Sequence, residues 1–355
     1  MTSAASSLER IGRICDAATD TATDARTLRL ELLAEIGRVL AFDAYAWLLT
    51  DPVTSVGAAP LADVPCLPEL PGLIRLKYLT EVNRWTTLDS PPAATLQQAT
   101  GGDPSRSLLW RDLLHRYDVG DVASVVLRDR FGCWSFLDLW RAGAASRFSP
   151  EETAYLASLA GPVTQGLRRA QASAFVPRTA TSGPPSGPVV LLLAPDLRVL
   201  RQTPRTEEYL RVLVPPEGSS PPVPASAYNV AAQLVATEAG VDPNPPWARV
   251  HMSHGLWLTL RAARIGETGP PADRDIAVTI EETSAADRVA LFALAFGLSA
   301  RERDLLGHLV AGLATRDIAA RMFISEHTVT DHLKSISAKT ATRTRRALLS
   351  RALGT

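Results

Sequence analysis

Residues 298–353 constrain the fold more than any other stretch, because they mark where four helices start and stop. Ser299 and Glu302 form a capping box, in which each side chain satisfies the other residue's orphan backbone N–H. Leu305, Leu306 and Leu309 recur at helical spacing, and Gly312 supplies a left-handed exit. Thr315 reads as the cap of a short second helix with Ile318, Ala319 and Met322 turned inward. Ser325 caps a third helix whose inward stripe is Val329, Leu333 and Ile336. A fourth follows Arg343-Thr344 and buries Leu348, Leu349 and Ala352.

Two short capped helices joined by a tight turn have the form of a helix-turn-helix, whose second helix enters the DNA major groove. Burying Val329, Leu333 and Ile336 turns His327, Thr330, Asp331, Lys334, Ser335 and Ala338 outward along one polar face of a recognition helix over about 325–338. Residues 299–355 carry ten Lys and Arg against five Asp and Glu, a net +5. The other 298 residues then carry −5 to reach the total of zero. A basic module on an acidic body suits a chain that offers one end to phosphate. A packing module alone would also account for the helices.

The same stretch resembles the LuxR/NarL-type DNA-binding domain. The resemblance rests on Leu298-Ser-x-Arg-Glu-Arg, Gly312-Leu-Ala-Thr-Arg-Asp-Ile-Ala and Phe323-Ile-Ser-Glu-His-Thr-Val-x-x-His-Leu-Lys, then Lys339-Thr and Arg343-Thr-Arg345-Arg346. Ala341-Thr342 depart from the family's Gly-Val, and Ala347 from its frequent Glu. The resemblance implies a transcriptional regulator with Thr330, Asp331 and Lys334 at the groove-reading positions. The full candidate DNA-binding set is His327, Thr328, Thr330, Asp331, Lys334, Ser335, Lys339, Arg343 and Arg345.

Elsewhere, 355 residues exceed what one core organises, so two or three domains are expected. No apolar run reaches the ~18 residues of a membrane span, and the N-terminus lacks a cationic start with an apolar signal core. Cys15, Cys66 and Cys133 have no metal or redox spacing and fit a reducing cytosol, which points to a cytoplasmic protein.

Over residues 8–172, helical spacing appears at Leu8, Ile11, Ile14 and Ala18, and again at Leu30, Leu33, Ile36, Val39 and Leu40. Further helices are expected over 69–83 and 105–117. Residues 43–50 read as a strand, and 123–127 with 133–140 as a β-hairpin. Ser149, Pro150 and Glu152 open a long helix to Arg169. This order, with Phe148-Ser-Pro-Glu-Glu-x-x-x-Leu156-x-x-Leu159-Ala, resembles a GAF domain, which implies a signal-sensing pocket over one face of an antiparallel sheet. Tyr45, Trp47, Trp85, Trp110, Trp134 and Trp140 are candidate aromatic walls, although such residues more often serve the core. His115 reads as a surface helix residue.

Residues 173–188, rich in Pro, Ser, Gly and Thr, read as a linker. Over 189–283, two strands, two helices flanking a Pro-rich loop at 215–224, and three strands follow. The order and the LLLAPDLRVL phrase are similar to a PAS domain. His251 and His254 are spaced wrongly for one metal ion on a strand. Residues 284–297 form an apolar connecting helix, capped by Ser284, that needs a partner. The sensor body and a second subunit both qualify.

The chain lacks G-x-x-x-x-G-K-[ST], the acidic pair of a phospho-receiver, and the Trp-Tyr-Asp-Pro-Trp series of homoserine-lactone-binding relatives. The expected architecture is multidomain α+β: a GAF-like α/β sensor, a PAS-like α/β domain, and an all-α four-helix LuxR-type helix-turn-helix domain over 298–355. The expected function is non-enzymatic, cofactor-free transcription regulation. Its partners are double-stranded DNA, a small-molecule effector, a second copy of the chain, and RNA polymerase if it activates. A signalling enzyme, or a protein-binding scaffold with a DNA-binding tail, is the alternative.

Overall fold

Alternation along the central hairpin decides the first layers. On β4 (Val119–Asp129) and β5 (Gly132–Ala142), Ala123, Val125, Leu127, Leu137 and Leu139 join one core. Val122, Val126, Phe136 and Trp140 belong to cores on the other side, as the two-residue period of a strand requires. The computed structural model describes residues 3–20, 24–177, 189–213, 224–253, 255–266 and 270–355. Strands β1 (Ala44–Thr50), β2 (Gly57–Asp63) and β3 (Ala93–Thr95) complete an antiparallel sheet of order β2-β1-β5-β4-β3. Helices α1 (Ala4–Asp20), α2 (Ala25–Ile36) and α6 (Pro150–Ser173) cover one face. α3 (Leu70–Leu79), α4 (Leu96–Thr100) and α5 (Leu108–Asp112) pack with the other.

The second sheet repeats that order with β6 (Val189–Leu193), β7 (Val199–Gln202), β8 (Trp247–Ser253), β9 (Leu256–Arg264) and β10 (Ile276–Glu282), arranged β7-β6-β10-β9-β8. It is served by α7 (Thr206–Leu213) and α8 (Ala225–Glu238). α8 is buried between the units: Val230 and Ala231 share one core with Leu48, Ala58, Ile74 and Tyr78 of the first. Two buried ion pairs cross this seam. Asp51 and Arg249 meet at 2.6 Å with side chains 0% and 3% exposed, and Arg84 and Asp242 meet at 2.6 Å. Charges this deep persist only when paired and hydrogen-bonded. Asp51 accordingly also accepts from the Arg249 backbone N–H.

Helix α9 (Ala285–Ala295), capped by Ser284, packs back onto its own chain. Phe292 is fully buried, and its ring lies edge-on to Phe175, which stacks on Trp257 at 4.7 Å. Of the two partners open to this helix, the body covers Leu291, Phe292, Ala293 and Ala295, while Val289 and Leu294 are half-buried. Gly297, at φ +63°, turns the chain into the C-terminal module, where a β-carbon would stand 3.0 Å from Arg168 Nη1. The module comprises α10 (Ala300–Val310), α11 (Thr315–Met322), α12 (Glu326–Thr340) and α13 (Arg345–Leu353).

Several expectations change. The buried stripe of α2 is Leu28, Leu32, Leu33 and Ile36, while Leu30 is exposed, and Val39 and Leu40 lie beyond the helix. Helix α3 ends at Leu79, short of Val82. The single helix expected over 105–117 is broken into α5 flanked by 3-10 turns, because Ser107 caps afresh and Leu113 leaves helical geometry at φ −138°. Of residues 173–177, expected to open the linker, Ser173 ends α6 and Phe175 is fully buried, whereas Val176 and Pro177 are exposed. Residues 178–188, the loop over 215–223 and His254 lie outside the described residues. His251 is half-buried, with its ring 5.3 Å from that of Trp257.

Candidate nucleic-acid interface

Capping sets the geometry of the C-terminal module. The Ser299–Glu302 box forms as read, the Ser325 side chain accepts from Thr328 N–H, and that of Thr344 accepts from Ala347 N–H. The second helix differs: its N-cap is Ala314, with no side-chain hydrogen bond, and Thr315 is its first residue. Phe323 ends that helix in the left-handed region at φ 55°, with Ile324 N–H returning to Ala319 O. The chain then turns into α12 within three residues. Ile318, Ala319, Met322, Val329 and Ile336 are buried, and Leu333 is half-buried, so the inward stripe is as read.

The opposite side of α12 presents His327, Thr330, Asp331, Lys334 and Ala338 to solvent, and Thr328 is half-buried beside Ser325. Thr330 Oγ1 donates to Glu326 O at 3.0 Å, a bond within the helix. Asp331 lies 3.1 Å from Lys334 Nζ and 3.4 Å from His327 Nε2. The Lys334 hydrogen bond leads the influences holding the Asp331 carboxyl below the usual range. A carboxylate thus neutralises part of the positive charge that Lys334 brings to this face.

Three of the nine candidate residues bond to segments of the module outside α12 and its cap. Ser335 Oγ donates to Glu302 Oε1 at 2.6 Å, and Lys339 Nζ donates to Glu302 Oε2 at 2.6 Å. Both are thereby held toward α10, Ser335 half-buried and Lys339 still exposed at the surface. Arg345 Nη2 donates to Leu313 O at 2.6 Å and remains exposed. Arg343 is exposed in the turn before α13. The outward set is therefore His327, Thr330, Asp331 and Lys334, with Arg343 and Arg345 at the far end.

Two features escaped sequence reasoning. Phe323 in the turn is 94% exposed. Arg351, read only as positive charge, is a tether: its Nε donates to Phe175 O at 2.7 Å, and its guanidinium lies 4.8 Å from the Phe296 ring. Burial lowers its pKa. Arg288 continues the tether by donating to Gly255 O and to the Arg351 carbonyl. No local periodicity signals these contacts.

Residues 297–352 match the family described as bacterial regulatory proteins, luxR family. They form a LuxR-family helix-turn-helix domain, which supports DNA-binding transcription regulation. No curated protein matches the chain. Among solved structures, one titled as the sensor region of a sensor histidine kinase is similar at 14% identity. That match covers 67% of this chain and 84% of that one, with a TM-score of 0.17. Among the described residues, no helix is long and apolar enough to cross a membrane.

Proposed function

We propose that this chain is a cytoplasmic transcription regulator that inserts α12 into the major groove as a homodimer, under the control of a small molecule held in its sheet-bearing body. The observation that carries DNA binding is the solvent-facing row of His327, Thr330, Asp331 and Lys334 on the second helix of a LuxR-family helix-turn-helix. Groove-reading side chains belong at such positions on a recognition helix. Arg343 and Arg345 supply charge where the flanking phosphates would pass.

The control reading assigns a GAF-like unit to 8–172, a PAS-like unit to 189–283, a connecting helix to 284–297 and the DNA module to 298–355. It is supported by two antiparallel five-stranded sheets of identical spatial order and by a cavity against the first. RNA polymerase is the further partner if the regulator activates. The dimer seam then falls to α13, where Leu349 and Leu353 are only half-buried. Electrophoretic mobility shift of genomic fragments by the full chain, and by a chain ending at residue 297, tests the reading. Retarded fragments are expected with the full chain alone. Equal retardation by the truncated chain would overturn it.

A further inference from the structure

The face of the first sheet turned toward α3 bounds a cavity of about 370 Å³, within the range of small-molecule sites. Trp85 and Trp140 are in its wall, whereas Tyr45, Trp47, Trp110 and Trp134 are not. Most of the wall is aliphatic, with Leu48, Leu70, Leu73, Ile74, Leu109 and Leu114. Leu67, also in the wall and 53% exposed, marks its mouth.

The charged groups of the wall neutralise each other. Lys77 Nζ stands 2.8 Å from Asp138 Oδ2, with side chains 9% and 5% exposed. Asp138 also accepts from Ser124 Oγ and from Trp85 Nε1, and Lys77 sits 4.5 Å over the Trp85 ring. An ionic molecule entering would lose its water and find no spare counter-charge. Neutral molecules carry no such cost.

Three wall residues do have hydrogen-bonding capacity to spare: half-buried Asn83, whose Nδ2 donates to Ala94 O and Ser124 Oγ while its Oδ1 has no partner, and two that are nearly fully buried. Trp140 is 3% exposed and its Nε1–H has no partner; Asn229 is 1% exposed, with Nδ2 donating to Ala225 O and Oδ1 without a partner. Buried polar atoms in folded proteins are nearly always hydrogen-bonded, so one unmet donor and two unmet acceptors around one cavity point to a ligand, with Trp140 and Asn229 the most deeply buried of the three. Asn229 belongs to α8, in the second unit. It comes this close because Gly57 has no side chain: a β-carbon there would lie 3.1 Å from Asn229 Cγ.

We propose that this cavity binds one neutral, largely apolar small molecule. The molecule carries an acceptor for Trp140 Nε1–H and a donor for Asn229 Oδ1, and so touches both sheet-bearing units. The proposal rests on the effector-control reading above and not on DNA binding. Two neutral fluorescent probes separate its parts in the full-length chain: prodan, a naphthyl ketone with acceptors and no donor, and N-phenyl-1-naphthylamine, with one N–H donor.

Both are expected to bind saturably, one per chain, and naphthalene-2-sulfonate is expected not to displace them. Trp140→Phe should weaken prodan about fivefold, the scale of one hydrogen bond, and leave the amine unchanged. Asn229→Leu should do the reverse. Failure of both probes to saturate, displacement by the sulfonate, or equal losses of both probes in both variants would overturn the proposal. Circular dichroism checks that each variant folds; if Trp140→Phe does not, the Asn229→Leu contrast decides alone. Mobility shifts on the same samples keep the two readings apart: absent probe binding with intact DNA binding would overturn the cavity site and leave the DNA reading standing.

Discussion

Glu302 and Lys339 stand 2.6 Å apart, an ion pair that fastens the first helix of the C-terminal module to the far end of its third. The carboxylate is nearly fully buried and also accepts from Ser335 Oγ and from Ser299 N–H. A buried carboxylate of α10 thus braces the recognition helix against the rest of the module.

Burial alone would raise the Glu302 carboxyl, but donation from Lys339, Ser335 and Ser299 outweighs it and lowers the pKa from 4.5 to about 2. A carboxyl held below its unfolded value contributes stability above that value and loses it as pH falls through the folded one. The contribution is thus full above about pH 5 and disappears between roughly 4.5 and 2. Glu302→Gln is expected to cost up to about 3 kcal/mol at pH 7, with the gap to wild type closing by pH 2. Urea unfolding across that range checks it, and a gap that persists at pH 2 would count against it.

With Lys339 paired to Glu302, Arg343 is expected to make the phosphate contact at this end of the module. Removing one phosphate contact lowers the slope of log K against log salt by about 1. Arg343→Ala should weaken all DNA sequences alike and flatten the slope by that amount. Lys339→Ala should act chiefly through stability. Fluorescence anisotropy at several salt concentrations separates the two, and a Lys339→Ala slope as flat as that of Arg343→Ala would return Lys339 to the phosphates.

The seam between the sheets makes a separate prediction. Asp51→Asn leaves the Arg249 guanidinium buried without its counter-charge, a change that costs about 3–5 kcal/mol. Replacing both residues, Asp51→Asn with Arg249→Met, should restore part of that loss by removing the unpaired charge. A urea midpoint unchanged in the single variant would show that water reaches the seam.

Legibility in the sequence followed the range of the interaction. The Ser149–Glu152 and Ser299–Glu302 boxes span three residues each, so both helix starts could be read directly. Ala314 caps without a side-chain bond, and the start of α11 was misplaced by one residue. β2 was missed because Gly57-Ala-Ala-Pro60 is poor in strand formers and its proline is tolerated only at a sheet edge. β3, three residues long, carries too little pattern to read. The bonds that redirect Ser335 and Lys339 span 33 and 37 residues, and the Asp51–Arg249 pair spans 198. Such pairings follow from packing and leave no periodic trace.

Base reading by α12 is the centre of the account, and sequence preference measures it most directly. DNA selected from a random pool by the full chain provides the specific site, and shuffled DNA of equal length the reference. Each good base contact discriminates by about 1–3 kcal/mol, so Thr330→Ala combined with Lys334→Ala is predicted to cut the preference for the selected site by at least about tenfold. Binding to shuffled DNA should change far less. A double variant that keeps the full preference would contradict the placement of α12 in the major groove.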